Sequence, residues 1–296
     1  MEKDLKQLNM IERARVISQW LSFIIPNAYM GFLKTKKIYQ GSLKSVCVPF
    51  LNCHSCPTSF FTCPIGAIQH FVTIHKIPFT VIGYLLAISM TVGAMACGWL
   101  CPFGLLQDLM YKIKSFKITI PNQLTSFRYF VLLFLIFLIP FFTQETWFSK
   151  LCPMGTLQAG LPWIIWNPMM PVDNIPAVSA SAIGTMFLIK LVILLSFLCL
   201  FVIAKRPFCR VICPLGAIMG FFNRFSLVRL QVDTGHCKDC NKCVGDCLVE
   251  LNVSHDPNHS ACVRCLKCLK CENVSMRVGP EKNQTRVLPQ PETDET

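Results

Sequence analysis

Long apolar runs alternate along this chain with short stretches that hold nearly all of its charge and most of its cysteines. Residues 77–100, 127–143 and 183–204 are each close to the roughly 20 apolar residues that a membrane-spanning helix needs. Residues 16–33 form a more polar fourth run, interrupted by Pro26 and Asn27. Residues 157–170 are apolar but short, which predicts an interfacial or re-entrant piece. Residues 205–229 bring the chain back to water with Lys205, Arg206, Arg210, Arg224 and Arg229. The pattern predicts a mainly α fold, a polytopic α-helical membrane protein of about four spans with a small C-terminal domain. The expected divisions are an N-terminal segment 1–15, a membrane domain 16–229, a cysteine-rich domain 230–279 and a disordered polar tail 280–296.

A repeat organises the membrane domain. CPIGAIQ stands at 63–69, CPFGLLQ at 101–107, CPMGTLQ at 152–158 and CPLGAIM at 213–219. The shared pattern is C-P-x-G-x-x-Q, with Met219 in the place of the last Gln. Cys97 and Cys209 precede the second and fourth copies by four residues. The chain therefore reads twice as span, CPxG, span, C-x3-CPxG, in halves 16–116 and 127–226. Such a repeat predicts two structurally equivalent halves.

With about four spans, parity puts Cys63 and Cys152 on one face. Cys97, Cys101, Cys209, Cys213 and the C-terminal domain fall on the other. The excess of basic residues marks the second face as cytoplasmic, from Lys112, Lys114, Lys117, Arg128, Lys205, Arg206, Arg210, Arg224 and Arg229. The run Lys34, Lys36, Lys37 and Lys44 opposes this assignment. The expected location is the cell (inner) membrane, multi-pass, with a cytoplasmic C-terminal domain. The N-terminus carries charge of both signs before any apolar run, which predicts no cleavable signal peptide.

Composition agrees. Hydrophobic residues are 53% of the chain and charged residues 15%, against about 25% charge in a soluble domain. The net charge of +12 is spread over the ends of apolar runs and the cysteine-rich domain, without interleaved aromatics. It predicts membrane lipid and anionic clusters as partners, and no nucleic acid. No Ser/His/Asp set, phosphate loop or carboxylate pair argues for hydrolysis.

Eighteen cysteines carry the chemistry. Eight close the chain in two groups, Cys237, Cys240, Cys243, Cys247 and Cys262, Cys265, Cys268, Cys271. Two C-x2-C-x2-C runs with a fourth Cys are the spacing of a ferredoxin holding two [4Fe-4S] clusters, which exchange fourth ligands. Cys237, Cys240 and Cys243 then pair with Cys271, and Cys262, Cys265 and Cys268 with Cys247. The usual Cys-Pro is absent, since Leu248 and Glu272 follow. A pair of zinc knuckles is the alternative, but four cysteines per run oversupply it. A disulfide framework suits small secreted proteins, unlike this chain.

In C-P-x-G the proline favours the first helical position, so the Cys falls at a helix N-terminus. Free N–H groups and the helix dipole favour an anionic thiolate or cluster there, and the Gly allows close backbone approach. Cys97, Cys101, Cys209 and Cys213 supply four thiolates from two equivalent halves, enough for one [4Fe-4S] cluster joining them. Separate thiol pairs are the alternative. On the other face Cys53, Cys56, Cys63 and Cys152 form a second set, with Cys47 as the alternative to Cys152, and an external disulfide as the rival chemistry. Cys199, alone in an apolar run, reads as a buried small residue. Lys190 in the same run is either a snorkelling stem or a charge near the outer site or a quinone head group. His54, His70 and His75 lie near the outer cysteines. Trp20, Trp99, Trp147, Trp163 and Trp166 are placed as interfacial anchors.

CGWLCPFGLLQD, FCRVICPLGAI and CKDCNKCVGDC…CVRCLKCLKC resemble the membrane-bound 4Fe-4S polyferredoxins of the NapH, NosR and CcoG type, over about residues 77–275. The resemblance implies electron transfer among a quinol pool, cytoplasmic donors and an external acceptor, with redox partner proteins and quinone as a further cofactor. NCHSCPTSFFTCPIGAIQ departs from the nitrate-reductase type, which lacks such an external cysteine group. Two other classes follow from the same residues, a quinol dehydrogenase subunit and a non-catalytic assembly factor or redox sensor.

Overall fold

The computed structural model describes residues 2–35, 38–166, 184–233, 242–271, 273–279 and 285–286. Helix α1 (Glu2–Ile24) ends as Pro26 enters a 3-10 turn, so the expected span 16–33 is interrupted there. A proline there removes a backbone donor and breaks the ladder. A cysteine-rich loop leads to α2 (Pro64–Thr73), and the chain turns back into α3 (Phe79–Val92). At Gly93, with φ 59°, α3 stops, so the expected span 77–100 is broken. A short helix Met95–Trp99 precedes α4 (Pro102–Met110).

Helix α5 (Asn122–Thr143) contains a π segment at Leu132–Leu138. A second π segment, Thr156–Gly160, lies in α6, residues 153–166. Helix α7 (Thr185–Ile203) is followed by the short helix Pro207–Val211 and by α8 (Pro214–Phe221). The last residues of the expected piece 157–170 lie outside the described residues.

Helices α5 and α7 are long and apolar enough to cross a membrane, and α3 is apolar but shorter. Helix α7 buries only Leu194 and Phe201. Leu188, Ile189, Val192, Leu195 and Leu200 stay exposed. An apolar helix exposed around most of its circumference suits lipid better than water. Cys199 lies on that exposed surface rather than in the core, because the packed side of α7 is taken by Leu194 and Phe201.

The C-terminal domain is closed by a three-stranded antiparallel sheet. Strand β1 (Val228–Val232) pairs with β2 (Val274–Val278), Val228 opposite Val278, and β2 pairs with β3 (Thr285–Arg286). Between β1 and β2 the loop at 259–265 presses against the helices where both halves meet. Arg264 is 1% exposed and donates to the carbonyls of Val92 (3.0 Å) and Asn223 (2.6 Å). Trp99 donates from its indole to the Arg264 carbonyl (3.2 Å), and Asn223 donates to the Cys262 carbonyl (2.8 Å). Trp99 thus anchors the docked loop. Glu12 of α1 pairs with Lys267 (3.2 Å) and Lys270 (3.5 Å).

Two glycines make this seat, one from each half. A Cβ at Gly98 would collide with the Val263 carbonyl, and one at Gly220 with the Ser260 carbonyl. Gly220→Ala is therefore expected to lift the domain from its seat, at an overpacking cost of about 1–3 kcal/mol. Limited proteolysis reads this as faster cleavage near 228–260. Cleavage at the parental rate would show that the seat tolerates the methyl group.

Candidate iron-sulfur centres

The local rule read from C-P-x-G holds at all four copies. Cys63, Cys101, Cys152 and Cys213 are each extended at the N-cap, with the following proline opening the helix. The Gly216 N–H donates to the Cys213 sulfur (3.3 Å). At Gly104 a Cβ would stand 3.2 Å from the Arg206 guanidinium, so the motif glycine admits that cation against α4.

The inner set converges. Cys97, Cys101, Cys209 and Cys213 line one narrow cavity with Arg128, Leu51 and Cys262. Cys209 lies within electrostatic reach of Cys101, and Cys213 within reach of Cys209, Cys97 and Cys101. Burial pushes the Cys209 thiol up to about 12, although Arg206 and the Gln107 amide oppose it. Arg128 is 2% exposed and lines the cavity. Its only hydrogen bond among the described residues is to the Tyr129 hydroxyl (3.4 Å), and its Nε is buried without a partner. Arg206 is 1% exposed and is held bidentate by Asp108 (2.7 and 2.6 Å), yet its Nη1 is also orphaned. A buried cation with no anion is costly. An anionic cluster held by these four cysteines would supply the missing counter-charge, so the residues fit a [4Fe-4S] group.

Arg128, Arg206 and Arg210 were counted above as markers of the cytoplasmic face. All three are buried, and Arg210 is bound to Glu250 (2.8 Å). Their charge serves the interior, so the sidedness argument loses three of its residues.

The second set lies close by. Cys63 is within electrostatic reach of Cys101, and Cys152 within reach of Cys63 and Cys53. Leu51 lies beside Cys101, and the next residue, Asn52, lies beside Cys63. One peptide segment therefore separates the two sets, far closer than a parity of spans suggests. The reason is that α2 and α6 both begin directly after these cysteines, with their first residues buried. Cys53, Cys63 and Cys152 line a cavity of about 320 Å³ with His54, Lys150 and Lys190. Lys190 is thus placed beside these cysteines. Cys56 faces a different cavity and contacts the Thr58 hydroxyl (3.1 Å). Cys47 pairs with Thr62 in an isolated bridge and lies within electrostatic reach of Cys63. His54 is held below the usual imidazole range by burial, Lys44 and His70. His75 packs on Phe141 (4.6 Å between centroids), away from the cysteines.

In the C-terminal domain Cys268 lies within reach of Cys262, Cys265 and Cys247. This is the set expected from exchanged fourth ligands. Burial pushes the Cys262 thiol up to about 12. Of the other set, Cys243 and Cys271 are described, while Cys237 and Cys240 lie outside the described residues. Among the described residues no three His, Cys, Asp or Glu side chains are set to hold a single metal ion. Thiolates around one zinc sit about 3.8 Å apart, tighter than the corners of a cubane.

Sequence reading missed Gln107, whose amide donates to the Cys209 sulfur (3.1 Å). Its position in the repeat was the available signal. It also missed Asp108 and the counter-charge role of Arg128.

The 4Fe-4S binding domain family matches residues 77–121 and 185–232, one segment in each half. Each half of the chain thus carries one segment similar to that 4Fe-4S binding family. The matched segments contain Cys97 with Cys101 and Cys209 with Cys213. An uncharacterized protein of Methanocaldococcus jannaschii is 26% identical over 219 residues, covering 70% of this chain and 73% of its own. The ferredoxin-type protein NapH of Haemophilus influenzae is 24% identical over 246 residues, 81% of this chain and 74% of its own. The putative electron transport protein YccM of Escherichia coli is 25% identical over 190 residues, 61% and 48%. No solved structure matches.

Proposed function

We propose that this chain is a multi-pass membrane electron-transfer protein with its C-terminal domain in the cytoplasm. Its cysteines would hold four [4Fe-4S] clusters. One set is Cys237, Cys240, Cys243 and Cys271, and the next is Cys262, Cys265, Cys268 and Cys247. The inner set is Cys97, Cys101, Cys209 and Cys213. The outer set is Cys53, Cys56, Cys63 and Cys152, with Cys47 as the spare thiol.

The observation that carries this reading is that Cys262 lines the same cavity as the four inner cysteines. The docked loop thus brings one thiol set against the next, and Cys63 follows within reach of Cys101. When bound, such clusters accept and release single electrons at potentials set by their surroundings. The protein's own part is to hold them in line, exclude water with apolar walls, and balance charge with Arg128 and Arg206. Redox partner proteins would meet the cytoplasmic domain and the face where the cavity of Cys53, Cys63 and Cys152 opens.

A quinone site has its own support. Trp20, Phe23, Phe103, Leu106, Leu109 and Leu157 line an almost wholly apolar cavity of about 360 Å³ between α1, α4 and α6. Cys56 also faces it, so a quinone there would touch the outer set.

The test is iron and acid-labile sulfide per chain after anaerobic purification in detergent. About 16 irons would support four clusters. About 8 would confine clusters to the C-terminal domain and sink the transmembrane path.

A further inference from the structure

The last residue of each C-P-x-G-x-x-Q copy crosses to the opposite half. Gln69 accepts from the N–H (3.0 Å) and hydroxyl (2.6 Å) of Ser149, three residues before Cys152. Gln158 accepts from the Cys53 N–H (2.8 Å) and donates to Asn52 (3.3 Å). Gln107 donates to the Cys209 sulfur (3.1 Å). Met219 meets the Cys97 sulfur (3.6 Å). The halves thus exchange these four side chains reciprocally. The outer pair, Gln69 and Gln158, orders backbone loops. The inner pair touches sulfur directly.

The inner pair is also where the repeat breaks its own rule. Gln107 and Met219 are both fully buried, occupy equivalent positions and face equivalent cysteines. An amide can donate to a ligand thiolate and a thioether cannot. Hydrogen bonds to cluster sulfurs stabilise the added electron and raise the reduction potential. Met219 fills the volume opposite Cys97 with a polarizable apolar group and withholds that donor.

We propose that positions 107 and 219 set the potential of the inner centre, with Gln107 raising it through Cys209 and Met219 holding it below the value a symmetric Gln pair would give. The two halves then supply unlike environments to one cluster. This rests on the inner four-cysteine centre proposed above. Gln107 and Met219 are positioning residues, which act through the ligand sulfurs.

The test is an anaerobic redox titration followed by EPR on the full chain in detergent, using the signal that disappears in Cys97→Ser. Gln107→Met is expected to shift that midpoint to a more negative value. Met219→Gln is expected to shift it to a more positive one. Gln69→Met, which removes an outer contact of the same kind, should leave it in place. Iron per chain is measured on every variant. Full iron with unmoved midpoints in both inner variants would overturn the proposal. If Gln107→Met loses iron, Met219→Gln alone decides by the sign of its shift. Parental protein without the Cys97-dependent signal would instead overturn the inner centre itself.

Discussion

Cys209→Ser is expected to cost the protein about four irons per chain and to reduce electron transfer across it to background. The loss should be that large because every other thiol lining that cavity, Cys262 included, is assigned to a cluster already. Its sulfur takes the Gln107 amide, and Cys97, Cys101 and Cys213 are committed to the same cavity. Losing the anionic group also leaves Arg128 without a counter-charge and Arg206 with Asp108 alone. Arg128 has no acidic partner among the described residues, and Arg206 keeps an orphaned Nη1. The variant should therefore also unfold at lower temperature. Cys199→Ser is the control, because Cys199 is exposed on α7, and it should keep full iron. Iron analysis and a dye-reduction assay on membranes check both. A Cys209→Ser protein with its full iron would remove this residue from the inner set.

How far the sequence could lead depends on whether a feature is local. The N-terminal helical position of Cys63, Cys101, Cys152 and Cys213 follows from the proline next door, and the structure has it at each copy. The convergence of Cys97, Cys101, Cys209 and Cys213 followed from the repeat, because equivalent halves present equivalent thiols. The number and depth of helices was not legible in that way. Hydropathy measures apolar content, and it cannot tell a helix that crosses from one that begins directly after a site cysteine. Hence 77–100 looked like one span although Gly93 divides it, and Cys63 looked remote from Cys101 although the two lie within electrostatic reach. Charge misled for a related reason. Arg128 reads as a topological marker until its burial shows that it faces the inner cavity. The role of Gln107 was half-visible. The motif carried it, but only the fold shows that it serves the other half's cysteine.

Asp108→Asn should be the most destabilising substitution away from the cysteines. Asp108 accepts both arms of Arg206 and also Arg15 of α1 (3.0 Å). Its charge is favoured despite burial, which alone would raise its pKa, because those two guanidiniums hold it below the usual carboxylate range. Asparagine keeps the shape and removes the charge. Two buried cations then share no anion, a loss of about 3–5 kcal/mol for a broken buried pair. A second cost adds to it. Arg206 has φ 46°, in the left-handed region, which costs about 1–3 kcal/mol unless its surroundings hold it. Arg206 caps the helix Pro207–Val211 that carries Cys209, so its release should also loosen the inner set. The contrasting pair is Lys150–Glu145, with side chains 38% and 48% exposed. Water already screens it, so Glu145→Gln should cost no more than about 1 kcal/mol. Thermal unfolding in one detergent, on preparations matched for iron, measures both. Equal shifts for the two variants would mean that the buried arginines are neutralised by something other than Asp108, and the bound cluster would be the group left to do it.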